Sequence, residues 1–294
     1  MLPNKKLEEV LLAVPEDLKA HYRSLLEPQE EQAIEVTPFM TLSEFSAESL
    51  SMPPVITLST GWKNLDYISA GGIAPGEVVL AAAFSGEGKT HFAVNLAINA
   101  ARLGKRVFYL TVEDGWYQIL QRFEKLDPEK KYQGMIFMMH EDELTIKNAI
   151  PILKRAIEDA DLIIIDNLFA LPLKQNAKGD YWTSQAEWVD DLCGMIRSSN
   201  CSALILHHLN KSKEGAQRHL IAGSTRLVNR VAQVWLLAQS KVDNTVTAIH
   251  SAKNRRSPNK GQCFLKSDPR GVLHVMDVAQ DMREAAAELF TDML

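Results

Sequence analysis

The chain has 294 residues, 46% of them hydrophobic and 23% charged, with a formal net charge of −5. This is the composition of an ordinary globular protein, and no stretch approaches the ~20 uninterrupted apolar residues of a membrane span. Residues 1–9 are charged and lack the apolar core of a signal peptide. The three cysteines show neither zinc-ligand spacing nor a disulfide framework, so we expect a reduced, cytoplasmic protein without a membrane partner.

Acidic charge is concentrated at the N-terminal end of the chain. Residues 1–58 hold ten Asp and Glu against four Lys and Arg, a balance of 4 − 10 = −6, so the remaining chain carries −5 − (−6) = +1. This balance excludes a generally basic nucleic-acid binder. Any contact with DNA must therefore use a local basic lining.

The chain is predicted to have two parts, a helical N-terminal arm with a linker over residues 1–57 and one domain over residues 58–294. Apolar residues at helical spacing predict one or two amphipathic helices within residues 4–35. These helices pack either on their own core or on a neighbouring subunit, and the sequence leaves both open. Residues 36–56 are rich in Ser, Thr, Pro and Met, which is typical of a linker.

The larger part predicts an α/β fold, because short apolar strands alternate with helices. Such alternation indicates a mostly parallel central sheet with helices on both faces. Ligands bind such sheets at the carboxyl ends of the strands. Strands are predicted at residues 78–82, 105–112, 134–140, 162–165, 203–206, 234–237 and 246–249, and helices at 91–98, 150–157 and 183–197, with another after residue 114.

A phosphate-binding loop follows the first strand. Residues 83–90 read AFSGEGKT, with a helix directly after them. Gly86 and Gly88 let the backbone curl so that N–H groups point at an anion, and Lys89 adds a positive charge. We expect ATP with Mg²⁺, the metal being held by Thr90 and Asp166. The expected nucleotide-binding residues are Ser85, Gly86, Glu87, Gly88, Lys89, Thr90 and His91.

Three further side chains end strands and are therefore expected at the same edge. Asp166 closes an aliphatic run, which is where a carboxylate holds Mg²⁺ through water. Glu113 is placed to polarise an attacking water, although it would equally lie beside a helix N-cap at Asp114. His208 is placed to sense the γ-phosphate, and only one of His207 and His208 can face the site from a strand.

Two basic segments lie further along the chain. A polar loop carries Lys211, Lys213 and Arg218, which fit either contacts to the phosphates of single-stranded DNA or a solvated surface. Lys253 and Arg255 alternate so that both point the same way. They would reach the γ-phosphate of a neighbouring subunit, as an arginine finger does, or form a charged hairpin.

Residues 58–276, about three-quarters of the chain, resemble the hexameric replicative helicases of the DnaB type, including phage helicases and the mitochondrial Twinkle protein. The alanine in place of the first glycine of the phosphate loop is common in DnaB-like loops. The matching features, in order, are Ser59, Thr60 and Gly61 with Leu65 and Asp66, the loop at 83–90, Glu113, Ile165 and Asp166, His208 to Asn210, Ala222 to Ser224, and Lys253 to Arg255.

The resemblance implies a RecA-like P-loop ATPase that forms a ring, a hexamer, with ATP at the subunit interfaces. It implies catalytic roles for Lys89, Glu113, Asp166 and His208 from one subunit, and for Lys253 and Arg255 from the next. It also implies single-stranded DNA held by loops near residues 171–182 and 211–219, with translocation from 5′ to 3′.

The N-terminal part departs from this family, because residues 1–57 are too few for its helical domain or for a primase. A separate primase, polymerase or loader is therefore an expected partner, and a small phage or plasmid replication protein is the expected type. Two other functions remain open. The chain could be a RecA- or RadA-like recombination ATPase, or a nucleotide-switched factor that loads or regulates a helicase.

Overall fold

The computed structural model separates the chain into two compact units, Met1–Pro54 and Val55–Leu294. The boundary expected at residues 57 and 58 stays a prediction. The helices predicted within residues 4–35 lie outside the described residues. The structure describes residues 41–51, 54–139, 149–168, 181–210, 218, 221, 225–258 and 261–276.

One helix, α1, spans Leu42–Ser51 in the first unit, where the composition predicted a linker. The linker stays a prediction, and the structure adds that these residues are helical, since neither glycine nor proline interrupts them. The hydroxyls of Ser46 and Ser49 donate to backbone carbonyls four and three residues earlier, both at 2.8 Å. Serine is therefore accommodated on the helix backbone.

The second unit is built on a nine-stranded sheet. In chain order, β1 to β9 span Val78–Ala83, Val107–Thr111, Ile136–Met138, Leu162–Asp166, Ser202–His208, Gln233–Gln239, Val246–Asn254, Gln262–Ser267 and Leu273–Met276. Their spatial order is β3-β2-β4-β5-β1-β6-β7-β8-β9.

The sheet is parallel from β3 through β6 and antiparallel from β6 through β9. The predicted mostly parallel sheet is confirmed. The sequence analysis did not predict β8 and β9, which extend the sheet beyond the hairpin of β6 and β7.

Helices cover both faces of the sheet, as predicted. The bounds of α2 to α7 are Lys63–Ile68, Lys89–Arg102, Trp116–Leu126, Ala149–Asp159, Tyr181–Arg197 and Thr225–Arg230, and a 3₁₀ helix spans Gln133–Met135. Apolar residues of α2, α3 and α4 pack in one core cluster, and those of α5, α6 and α7 pack in a second cluster on the opposite face.

Strand β1 lies at the centre of this arrangement, between β5 and β6. All six of its residues are buried, and they alternate between the two core clusters. This is why its sequence is a continuous apolar run and not a polar–apolar alternation. The loop that follows Ala83 is therefore held by a rigid strand between two neighbours.

Asp66 fixes the backbone at the start of the domain through hydrogen bonds to its side chain. Its carboxylate accepts hydrogen bonds from the Ser59 hydroxyl at 2.5 Å and from the Thr60 backbone N–H at 2.7 Å. Gly61 follows with φ of +81°, and an added Cβ there would lie 2.6 Å from Asn99 of α3. The residues on which the sequence resemblance begins thus fix the local backbone at the start of the domain.

Candidate nucleotide site

The glycine-bearing loop joins β1 to α3 along a curled backbone. Gly86 and Gly88 have φ angles of +84° and +79°, and an added Cβ at either would meet nothing within 4 Å. The glycines therefore serve the path of the backbone and leave an open concavity. The first N–H groups of α3 have no partner within the helix, which favours an anion at this point. The loop fits a polyphosphate.

Lys89 lies folded against this loop and is only 7% exposed. Its Nζ donates to the carbonyl oxygens of Ala83 at 3.2 Å and Phe84 at 2.9 Å. Burial lowers the pKa of the ammonium, although the carboxylates of Glu113 and Asp166 act in the opposite direction. A phosphate beside Lys89 would add negative charge that stabilises the ammonium.

The Glu87 side chain binds the protein backbone outside the loop. Its carboxylate accepts a hydrogen bond from the backbone N–H of Gln239, at the end of β6. This contact ties the loop to the strand on the other side of β1. The part of Glu87 that faces a phosphate is therefore its backbone.

Asp166 ends β4 with a carboxylate that is 2% exposed. The Tyr109 hydroxyl donates to its Oδ2 at 2.7 Å, and the Thr90 side chain also hydrogen-bonds to it. Burial raises the pKa of Asp166 from its ordinary 3.8 to about 6, outweighing those two hydrogen bonds, which lower it. A buried carboxylate beside a threonine hydroxyl fits Mg²⁺, a cation that prefers oxygen ligands.

No larger metal cluster competes with this pair in the ranges that the structure describes, where no group of three or more His, Cys, Asp or Glu could hold an ion. A cation at Thr90 and Asp166 would therefore depend on phosphate oxygens and water for its other ligands. This is the usual arrangement for Mg²⁺ beside a nucleotide.

Glu113, Asn167 and His208 form one polar cluster at the same edge. The Asn167 side-chain amide donates to Glu113 Oε2 and lies 3.0 Å from His208 Nε2. Glu113 Oε2 and His208 Nε2 are 3.4 Å apart. Burial lowers the pKa of His208 and the charge of Lys89 lowers it further, while the carboxylate of Glu113 acts in the opposite direction. Asn167 was missed by sequence reasoning, although it directly follows Asp166.

The structure also separates the two histidines. His208 lies opposite Ala83 and reaches Glu113, whereas His207 lies opposite Ala82 and is fully buried. Successive side chains of a strand point to opposite faces. The residue that faces the nucleotide cavity is therefore His208.

These groups surround one cavity of about 270 Å³. Arg122 of α4 lines this cavity and was not singled out by the sequence analysis. It forms an ion pair at 3.0 Å with Asp114, which also lines the cavity and is not the expected N-cap, because Gly115 holds that position. His91 also lines it, and burial followed by the charge of Arg122 lowers its pKa. The lining is Ser85, Gly86, Gly88, Lys89, Thr90, His91, Glu113, Asp114, Arg122 and His208.

Lys253 and Arg255 lie at the opposite end of the strands from the cavity, where β6 begins and β7 ends. Lys253 pairs with Val234, near the start of β6. Its Nζ donates to the carbonyls of Val228 at 2.7 Å and Val231 at 2.8 Å, and Arg255 donates to the carbonyl of Asn229. In the single chain, both cations therefore hold the C-terminal end of α7.

The predicted DNA contacts are only partly described. Lys211, Lys213 and the segments 171–180 and 222–224 lie outside the described residues. Arg218 is exposed. Its charge, after burial and Arg255, contributes to lowering the pKa of Lys253 to about 8. Arg218 is thus electrostatically close to the pair expected to act in trans.

A family model described as an AAA domain matches residues 54–214, more than half of the chain. The chain belongs to the AAA domain family. The segment that matches the AAA domain includes the phosphate loop, Glu113, Asp166 and His208. ATPases of this family bind a nucleotide and usually Mg²⁺, which agrees with the residues that line the cavity.

The sequence is also similar to DNA repair protein RadA of Campylobacter jejuni, with 25% identity over 234 residues, 79% of this chain and 49% of that protein. The chain thus spans about half the length of the RadA relatives that it matches.

Two solved structures share the fold of this AAA domain. One, described as an ATPase domain, has a TM-score of 0.66 at 15% identity and covers 80% of this chain and 96% of that one. The other, a DnaB-like replicative helicase described with its interactions with primase, has a TM-score of 0.67 at 16% identity and covers 93% of this chain and 74% of that one. The RecA-like, DnaB-type fold that the resemblance implied is confirmed.

Within the described part of the AAA domain and of α1, none of the helices has the length and apolarity to cross a bilayer.

Replacing Asp166 with Asn should stabilise the nucleotide-free AAA domain at pH 8. A pKa raised from 3.8 to about 6 means that ionisation of Asp166 opposes folding, with a penalty that is absent below pH 4 and complete above pH 6. The full penalty is roughly 1–3 kcal/mol. Urea unfolding in EDTA should show this gain at pH 8 and its decline toward pH 4. An equal gain at both pH values would show that ionisation is not the cause.

Replacing Lys253 with Met should loosen the end of α7 in the single chain. Hydrogen bonds from a charged donor contribute about 1.5–3 kcal/mol each, so amide exchange in α7 should accelerate roughly tenfold or more. Hydrogen–deuterium exchange measures this directly, with Lys241→Met on the β6–β7 hairpin as the matched control. Unchanged exchange in the Lys253 variant would contradict the assigned contact.

Proposed function

We propose that this chain is an ATP-dependent DNA helicase that works as a homo-oligomeric ring, a hexamer, and moves from 5′ to 3′ on single-stranded DNA in phage- or plasmid-type replication. The observation that carries the proposal is the division of the site between the two ends of the sheet. The phosphate loop, Glu113 and Asp166 meet at one end, and Lys253 and Arg255 lie at the other.

The residues at the cavity have distinct roles in hydrolysis. The loop backbone and Lys89 hold the phosphates, and Thr90 with Asp166 would hold Mg²⁺, which supplies positive charge to the reacting phosphates. Glu113 orients and polarises the attacking water. The Asn167 amide contacts both Glu113 and His208. His208 would respond to the γ-phosphate through this contact.

Lys253 and Arg255 act on another copy of the chain. Lys253 is two strands away from β1 and level with Leu80, before the strand reaches the loop. That separation is about 10 Å across the strands and about 10 Å along them. The chain continues from Lys253 away from the loop, because β7 is antiparallel to β6. A basic pair at this end serves a triphosphate only when a second subunit presents its cavity there.

The remaining surfaces contact DNA and other proteins. Lys211, Lys213 and Arg218 hold the phosphates of the strand in the channel of the ring. Residues 1–57 pack on the neighbouring subunit, which would cover the apolar side chains of α1. Leu42, Phe45 and Leu50 of this helix are 83%, 62% and 87% exposed. A separate primase, polymerase or loader completes the replication machinery in the cytoplasm.

A second candidate function is a RadA-like ATPase that acts on branched or recombining DNA. The supporting observation is the similarity to RadA over 79% of this chain. Electron microscopy of the protein assembled with ATP and DNA separates the two candidates, because a replicative helicase forms closed rings and a recombinase forms filaments.

A third candidate, a nucleotide-switched factor, is disfavoured by the catalytic arrangement. A switch does not need a carboxylate held at the position of Glu113. ATP turnover measured with and without single-stranded DNA decides this point, since slow turnover that ignores DNA would support the switch. Strand displacement on a forked substrate then tests unwinding itself.

Replacing Glu113 with Gln should lower kcat for ATP hydrolysis by about 10²-fold or more, because the amide cannot accept the proton of water. Nucleotide affinity should stay within about threefold, because Glu113 does not belong to the phosphate loop. Steady-state turnover and equilibrium binding measure the two quantities. Wild-type turnover in this variant would remove Glu113 from the catalytic role.

Mixing two inactive variants tests whether Arg255 acts in trans. Lys89→Ala and Arg255→Ala should each abolish hydrolysis, with nucleotide binding retained in the second. A mixed ring places intact Lys89 of one subunit beside intact Arg255 of the next at roughly a quarter of its interfaces, so hydrolysis should return. Lys105→Ala, at an exposed ion pair, is the control and should keep full activity. A mixture of assembled rings that stays inactive would contradict the trans assignment.

A further inference from the structure

Tyr109 carries a hydroxyl at a buried position of β2 where an apolar aromatic ring would be sufficient for packing. It lies in the middle of β2, between Phe108 and Leu110, and is fully buried. Phenylalanine would fill the same space without removing a hydroxyl from water, a removal that costs free energy unless the hydroxyl is paired. The Tyr109 hydroxyl is paired, and its acceptor is Oδ2 of Asp166 at 2.7 Å.

The position of this hydroxyl is fixed from two sides. The ring of Tyr109 meets Phe123 of α4 edge to face, with centroids 5.5 Å apart and an interplanar angle of 87°. Its backbone is paired with Ile164, two residues before Asp166 on the neighbouring parallel strand. Neither the ring nor the carboxylate can move without disturbing the sheet or α4.

We propose that Tyr109 is a positioning residue for the divalent cation of this site. Its hydroxyl takes one oxygen of Asp166 and so fixes the rotation of the carboxylate, while the Thr90 side chain contacts the same group. This inference rests on the proposed function, because it assigns to Asp166 the role of holding Mg²⁺. Groups that orient a metal-holding side chain set the affinity for the metal although they do not touch it.

The same contact links the cation to α4. Phe123, which packs on the Tyr109 ring, directly follows Arg122, which lines the nucleotide cavity. The carboxylate that holds the cation and the arginine in the cavity are therefore placed by one packed unit of β2 and α4. Loss of the Tyr109 hydroxyl should disturb the orientation of the Asp166 carboxylate. It should leave Arg122 in the cavity, because the aromatic ring still packs on Phe123.

Tyr109→Phe tests the proposal by removing only the hydroxyl. The measurement is the affinity for a fluorescent ADP analogue, titrated once with excess Mg²⁺ and once with EDTA, on the full chain. The ratio of the two affinities should fall by roughly tenfold in the variant, with the EDTA value unchanged. Tyr132→Phe is the matched control, since Tyr132 packs under Arg102 away from the cavity, and its ratio should equal that of the wild type.

The outcomes separate this inference from the function on which it rests. If Mg²⁺ raises the affinity for the ADP analogue equally in the wild type and in Tyr109→Phe, the positioning role alone is overturned. Equal losses with Mg²⁺ and with EDTA would show that the hydroxyl only stabilises the fold, and would also overturn it. A wild-type chain whose nucleotide affinity ignores Mg²⁺ would remove the metal role of Asp166, and the inference with it.

Discussion

The parallel register of the central strands is the constraint on which the whole site depends. Strand β1 pairs with β5 so that Ala83 lies opposite His208, and β2 pairs with β4 so that Thr111 lies opposite Asp166. Strands that run the same way release their following residues at one edge of the sheet. A slip of one residue in β4 would turn Asp166 to the other face, where neither Thr90 nor Tyr109 could contact it.

This register brings together ionisable groups whose charged forms are destabilised by burial. Burial lowers the pKa of Lys89 and raises the pKa of Asp166, so the folded chain opposes the charged form of both. A triphosphate beside Lys89 and a cation beside Asp166 would supply the missing opposite charges. The site is therefore organised in advance for its ligands, and ligand binding should contribute to the stability of the domain.

The two ends of the sheet are the reason for proposing an ATPase site that is shared between two copies of the chain. Charges that lie at opposite ends of the strands cannot act on one triphosphate within the same chain. In the separate chain, Lys253 and Arg255 hold backbone carbonyls of α7, the helix that follows the loop expected to contact DNA. In the proposed ring, a neighbouring triphosphate would compete with those carbonyls for the same cations, which would connect Lys253 and Arg255 to the segment before α7.

The sequence by itself determined the α/β class, the phosphate loop and the carboxylate that ends β4, because each is specified by neighbours within a few residues. It also indicated that Glu113 would lie at this edge, although Glu113 follows the end of β2 by two residues, and it missed Asn167 and Arg122. Only the tertiary structure decided which of them touch. Asn167 and Glu113 are 54 residues apart, and the partners of Tyr109 and Lys253 are also remote in sequence, so these contacts follow from strand register and helix rotation, which no local pattern encodes. The helix at Leu42–Ser51 was also not predicted, since overall composition concealed a segment whose backbone meets no obstacle to helix formation.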